Sequence, residues 1–69
     1  MVQPRYANCY AIIDETGWCY EVCSASTNHD GLEGYIRIPE YNTDYLDKYY
    51  NVANGKWYLE ESFTTEWTP

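Results

Sequence analysis

Two strand-like runs on either side of Asp14-Glu15-Thr16-Gly17 constrain this chain more than any other feature. Tyr6 to Ile13 and Trp18 to Cys23 are rich in β-branched and aromatic residues, and Gly17 supplies a position that accepts positive φ, so the stretch reads as a β-hairpin. A three-residue loop of Glu15, Thr16 and Gly17 pairs Asp14 with Trp18, then sets Ile12 opposite Tyr20 and Tyr10 opposite Val22. The four-residue alternative opposes Ile12 to Cys19 and Tyr10 to Glu21, which mixes the faces. In the preferred register one face carries Tyr10, Ile12, Trp18, Tyr20 and Val22, and the other Cys9, Ala11, Ile13, Cys19, Glu21 and Cys23. Both faces are substantially apolar, so both need cover: the second hairpin on one side, the tail or another protomer on the other.

The rest of the chain continues the β grammar. Met1 to Arg5, with Pro4 just before the first strand, is a lead-in. Residues 24–34 combine Ser, Asn, Asp and two Gly and read as an exposed loop. Tyr35-Ile36-Arg37-Ile38 alternates, with Ile36 and Ile38 on one face, and Pro39 ends it. Around 42–50, Asn42 or Thr43 can cap one or two helical turns with Asp44 in the first turn, and Tyr41, Tyr45 and Tyr49 recur every four residues. Asn54-Gly55 predicts a two-residue turn that opposes Ala53 to Lys56, Val52 to Trp57 and Tyr50 to Leu59, leaving Asn51, Tyr58 and Glu60 outward. Residues 61–69 supply an edge strand, a swapped segment or a flexible end. The expectation is one domain over 1–69, mainly β in a small α+β sense: two antiparallel hairpins, a short third strand and one short helical turn region.

At 69 residues the chain hides only about 60% of its unfolded surface. Nine Tyr, three Trp and one Phe exceed what such a core can take, so rings are left for the surface or an interface. Four basic against eleven acidic residues give a net charge of −7, which argues against direct DNA or RNA binding and against an anionic membrane, and favours a partner with a basic surface. Three cysteines make no paired framework, and neither a secretory signal nor a long apolar run is present, so a reducing cytoplasm and a complete small reading frame are expected.

Chemistry-bearing sets are weak. Cys9, Cys19, Cys23 and His29 have the residue types of a structural zinc site, but Cys19 and Cys23 lie about 13 Å apart on an extended strand and form no C-x-x-C knuckle. The preferred register brings Cys9 opposite Cys23, where reduced thiols pack as small apolar residues and an oxidising setting would permit a cross-strand bond. His29 beside Asp30 in a loop is a poor start for nucleophilic catalysis, so no catalytic residues, metal or cofactor are assigned and the chain is read as a non-enzyme. The residues assigned to binding a partner or ligand are Tyr20, Tyr35, Arg37, Tyr45, Lys48, Tyr49, Tyr58 and Trp67. A small nucleotide fits this set if rings hold its base and copies of Arg37 and Lys48 converge on its phosphate in a homo-oligomer.

Asp14-Glu15-Thr16-Gly17, Ile38-Pro39-Glu40-Tyr41 and Lys48-Tyr49-Tyr50 followed by Gly55-Lys56-Trp57 share their order with a D-E-x-G hairpin, an I-P-x-Y strand end and a K-Y-Y…G-K-W hairpin. In this the chain resembles small phage-encoded, tyrosine-rich proteins and modules, often associated with tail genes. The resemblance spans most of residues 6–60 and implies a fold and a phage origin; it transfers no catalytic residue. The functional expectation is an accessory protein of the host cytoplasm that binds and neutralises or sequesters a defence-related host component, either a protein or a small nucleotide signal. The alternative is a structural module of a phage tail or baseplate, located in the virion.

Overall fold

The structure, a computed structural model, describes residues 8–69. The lead-in with Pro4, and Tyr6 and Ala7 at the start of the first expected strand, lie outside the described residues. The chain is mainly β, with two three-stranded antiparallel sheets. Strands β1 (Asn8–Ile13), β2 (Cys19–Ala25) and β3 (Tyr35–Ile38) form one sheet in the order β2-β1-β3. Strands β4 (Tyr49–Asn51), β5 (Lys56–Tyr58) and β6 (Glu66–Trp67) form the other in chain order. The helical region is a single 3₁₀ turn, Thr43–Tyr45, capped by the Asn42 side chain on the Asp44 N–H.

The first turn forms as its residues dictate. Gly17 has φ +93°, the Asp14 N–H donates to the Trp18 carbonyl and Ile13 opposes Cys19. Beyond that pair the expected register fails. A β-bulge leaves Tyr20 without an opposite residue, so Ile12 faces Glu21, Ala11 faces Val22, Tyr10 faces Cys23 and Cys9 faces Ser24. Val22 therefore changes sides to join Cys9, Ala11, Ile13 and Cys19, and Cys9 and Cys23 are not paired across the ladder. The cause is tertiary: Cys19 directs both its backbone groups away from β1, its N–H to the Lys48 carbonyl and its carbonyl to the Asp47 N–H.

The second hairpin also departs from expectation. Tyr50 opposes Trp57 and Asn51 opposes Lys56, a shift of two residues, and the loop is Val52 to Gly55. Only Gly55 has positive φ there. Asn51 explains the longer loop, because its carbonyl accepts from the Gly55 N–H and its Oδ1 from the Ala53 N–H, starting the reversal early. Val52 and Leu59, expected on the apolar face, are exposed, and Tyr58, expected outward, is buried beneath Phe63. The tail supplies an edge strand within its own chain, Trp67 opposite Trp57, reached through a reversal with Phe63 at φ +57° and the Glu60 carboxylate on the Thr64 and Thr65 N–H groups.

The core lies between the sheets. Cys9, Ala11, Ile13, Cys19 and Ile38 meet Tyr45, with Val22, Ile36, Tyr50, Trp57 and Trp67 packed around them. Burying each large apolar side chain contributes roughly 1.5–3 kcal/mol. Tyr45 is the keystone, its ring edge-on to Trp57 at 5.1 Å and to Trp67 at 5.0 Å. The expected tyrosine stripe is thus split: Tyr45 is buried, Tyr41 is exposed and Tyr49 belongs to β4. The opposite face of β1 is covered by the 26–34 loop, not by the tail. Tyr10 is fully buried there, with the His29 ring stacked on it.

Candidate functional site

Residues 17–19 join the two sheets. The Tyr50 N–H donates to the Gly17 carbonyl and the Cys19 N–H to the Lys48 carbonyl, so Trp18 and Tyr49 form an antiparallel bridge of the non-hydrogen-bonded kind, in which side chains stand close on one face. This approach requires glycine at 17, because a Cβ there would collide with the Tyr50 carbonyl oxygen. Asp47, at φ +68°, turns the chain into the joint and accepts a 3.1 Å hydrogen bond from Trp18 Nε1.

The joint builds a row of aromatic side chains on the outer surface, away from the core. The bulge turns Tyr20 outward beside Trp18, with ring centroids 6.1 Å apart. Trp18 bridges to Tyr49, Tyr49 opposes Tyr58, and the Tyr58 ring lies 5.4 Å from Phe63. Exposure is graded along the row. Tyr20 is 50% and Trp18 36% exposed, whereas Tyr58 is buried, with its hydroxyl accepting from Asn54 Nδ2. Exposed carboxylates flank the row: Glu21 follows Tyr20, Asp47 holds the Trp18 indole and Glu66 opposes Tyr58, 3.7 Å from Lys56.

The eight residues assigned to binding from the sequence fall into three groups. Tyr20, Tyr49 and Tyr58 belong to the outer row. Tyr45, Lys48 and Trp67 belong to the core and its rim, where Lys48 Nζ lies 4.9 Å over the Trp67 ring and donates to the Asp44 carbonyl. Burial pushes the Tyr45 phenol above its ordinary pKa. Tyr35 and Arg37 belong to a latch around Tyr10, whose hydroxyl donates to Asp30 and accepts from the His29 N–H and Arg37 Nη2. Arg37 also bonds Asn8 and pairs with Asp30 at 2.8 Å, and its guanidinium, followed by the Tyr10 hydroxyl, holds the Asp30 carboxyl below the usual carboxylate range. The latch fixes the loop over β1, and the Asp30 carboxylate is bonded to Arg37 and Tyr10. Trp18 and Asp47 were missed. Trp18 was legible as a neighbour of Tyr20 across one face, whereas Asp47 carries only the general tolerance of Asp for positive φ, which many loop residues share.

Among the described residues no three His, Cys, Asp or Glu side chains are grouped to hold a metal ion. Cys19 is fully buried with its Sγ against the Glu21 carbonyl, and burial raises its thiol pKa, which suits packing more than nucleophilic chemistry. No helix among the described residues is long and apolar enough to cross a membrane. No protein-family model matches the chain, and neither the curated proteins nor the solved structures give a match to it.

Proposed function

We propose that this chain is a non-enzymatic phage accessory protein that binds and neutralises a host protein with a basic surface, using the outer aromatic row as its contact. The carrying observation is the exposed Trp18–Tyr20 pair beside the carboxylates of Glu21 and Asp47 on a chain of net charge −7. Rigid rings supply contact area at low entropic cost, and the acidic flank steers a cationic partner and selects its register. The resemblance to small phage-encoded tyrosine-rich modules supplies the phage context, and a defence-related target follows from that context. A protein target is better supported than a small nucleotide, because Arg37 and Lys48 lie in different clusters and each is committed to intramolecular bonds. Both faces of β1 are covered within one chain, so the hairpin needs no second protomer to bury it.

Affinity capture from host lysate tests the reading. The protein is expected to retain a basic host protein near one-to-one stoichiometry, and Trp18→Ala with Tyr20→Ala is expected to lose it while keeping a dispersed amide spectrum. Capture unaffected by the double substitution, or no protein captured, would contradict it.

A further inference from the structure

The turn that organises the joint also walls an open cavity of about 440 Å³, lined by Ile13, Asp14, Glu15, Glu33, Gly34 and Val52. A smaller one of about 170 Å³ shares Ile13, Asp14, Glu15 and Val52 and extends past Tyr50 toward Phe63, so the two form one trough. The apolar side chains of the larger cavity are the nearly buried Ile13 and the 76% exposed Val52. At Gly34 the chain passes Ile13, whose N–H donates to the Gly34 carbonyl. Three carboxylates stand on the rim and no basic side chain lines it among the described residues.

We infer that this trough is a subsite for an arginine or lysine side chain presented by an extended segment of the protein partner, with the aliphatic stem on Ile13 and Val52 and the cationic head among Asp14, Glu15 and Glu33. The match is one of charge and shape together: long cationic side chains bury their stems on apolar surface while the head seeks acidic or wet surroundings. The three rim carboxylates have separate tasks. Asp14 Oδ1 is spent on the Thr16 and Trp18 N–H groups and the Thr16 hydroxyl, so Asp14 holds the wall, while the exposed Glu15 and Glu33 supply the charge that selects the partner. This rests on the proposed binding function and adds a second contact region, reached from the aromatic row by way of Gly17.

The test uses the whole protein, ¹⁵N-labelled, titrated with a blocked Leu-Arg-Leu-Arg-Leu peptide and with its Leu-Glu-Leu-Glu-Leu counterpart. The expected result is saturable shifts from the arginine peptide alone, centred on the amides of Glu15, Glu33, Gly34 and Val52. Affinity should fall at least tenfold in a Glu15→Gln, Glu33→Gln variant with an unchanged fold, and fall again with added salt. Non-saturating shifts spread over all acidic positions, or undiminished affinity in the double variant, would overturn the subsite. Lysate capture separates this from the parent reading. A partner held by the glutamine variant and lost on Trp18→Ala with Tyr20→Ala refutes the trough alone, whereas a partner insensitive to that pair refutes the aromatic row.

Discussion

The two tight turns, Asp14 to Trp18 and Asn51 to Lys56, are built from the same parts and carry different burdens. Each ends its loop on a left-handed glycine, and each opens with a side-chain oxygen accepting backbone N–H groups: Asp14 to Thr16 and Trp18, Asn51 to Ala53, with Asn54 adding Lys56. The first presses its backbone onto Tyr50 and passes the chain through the joint between sheets. The second projects toward solvent, and a Cβ on Gly55 would meet nothing nearer than the Tyr50 hydroxyl at 3.6 Å. Local turn chemistry is therefore a poor guide to importance; what a turn touches decides it.

The largest effect is expected from Gly17→Ala. Its Cβ would meet the Tyr50 backbone and its φ would be strained, so a loss of about 3 kcal/mol or more is expected by urea denaturation, with collapse of the Trp18–Tyr49 bridge. An equal loss from Gly55→Ala would break the contrast. Asp14→Ala comes next. It removes three hydrogen bonds at the first turn and should lower the thermal midpoint by several degrees, more than Asn54→Ala, which removes the bonds to Lys56 and Tyr58. Gly55→Ala should cost about 1 kcal/mol, the strain of one left-handed alanine.

The smallest effect is pH-dependent and distinguishes carboxylate from amide. The Thr16 hydroxyl, followed by the backbone N–H groups of the turn, holds the Asp14 carboxyl below its ordinary 3.8. A carboxyl with a depressed folded pKa stabilises the fold above the unfolded value, and that contribution disappears as pH falls through the folded one. Amide exchange at Trp18 should thus quicken below about pH 4, relative to a trend set by chemical exchange alone. Exchange at Ala53 and Lys56, held by Asn51 and Asn54, should follow that trend without a step. Asp30 and Glu60 are depressed likewise and add to global acid lability, so residue-resolved exchange is the informative reading.

Much of the fold was legible in the residues. The Asp14–Trp18 pair, the left-handed Gly17, the alternation of Tyr35 to Ile38 and its end at Pro39 all follow from local chemistry. What was illegible is long-range. The bulge at Tyr20 arises where Cys19 gives both its backbone groups to Asp47 and Lys48, and the second turn lengthens because Asn51 competes with Asn54-Gly55 for the reversal. The candidate site was half legible for the same reason. Tyr20 and Tyr49 could be named as spare rings, yet only the joint places Trp18 between them and sends Tyr45 and Trp67 to the core.

The three tryptophans give the account its most direct test, because Trp18 lies in the outer row while Trp57 and Trp67 pack against the core. When the captured partner is added to ¹⁵N-labelled protein, the Trp18 indole signal is predicted to shift or broaden while those of Trp57 and Trp67 stay in place. An unmoved Trp18 indole in the saturated complex would contradict the claim that this row is the binding surface.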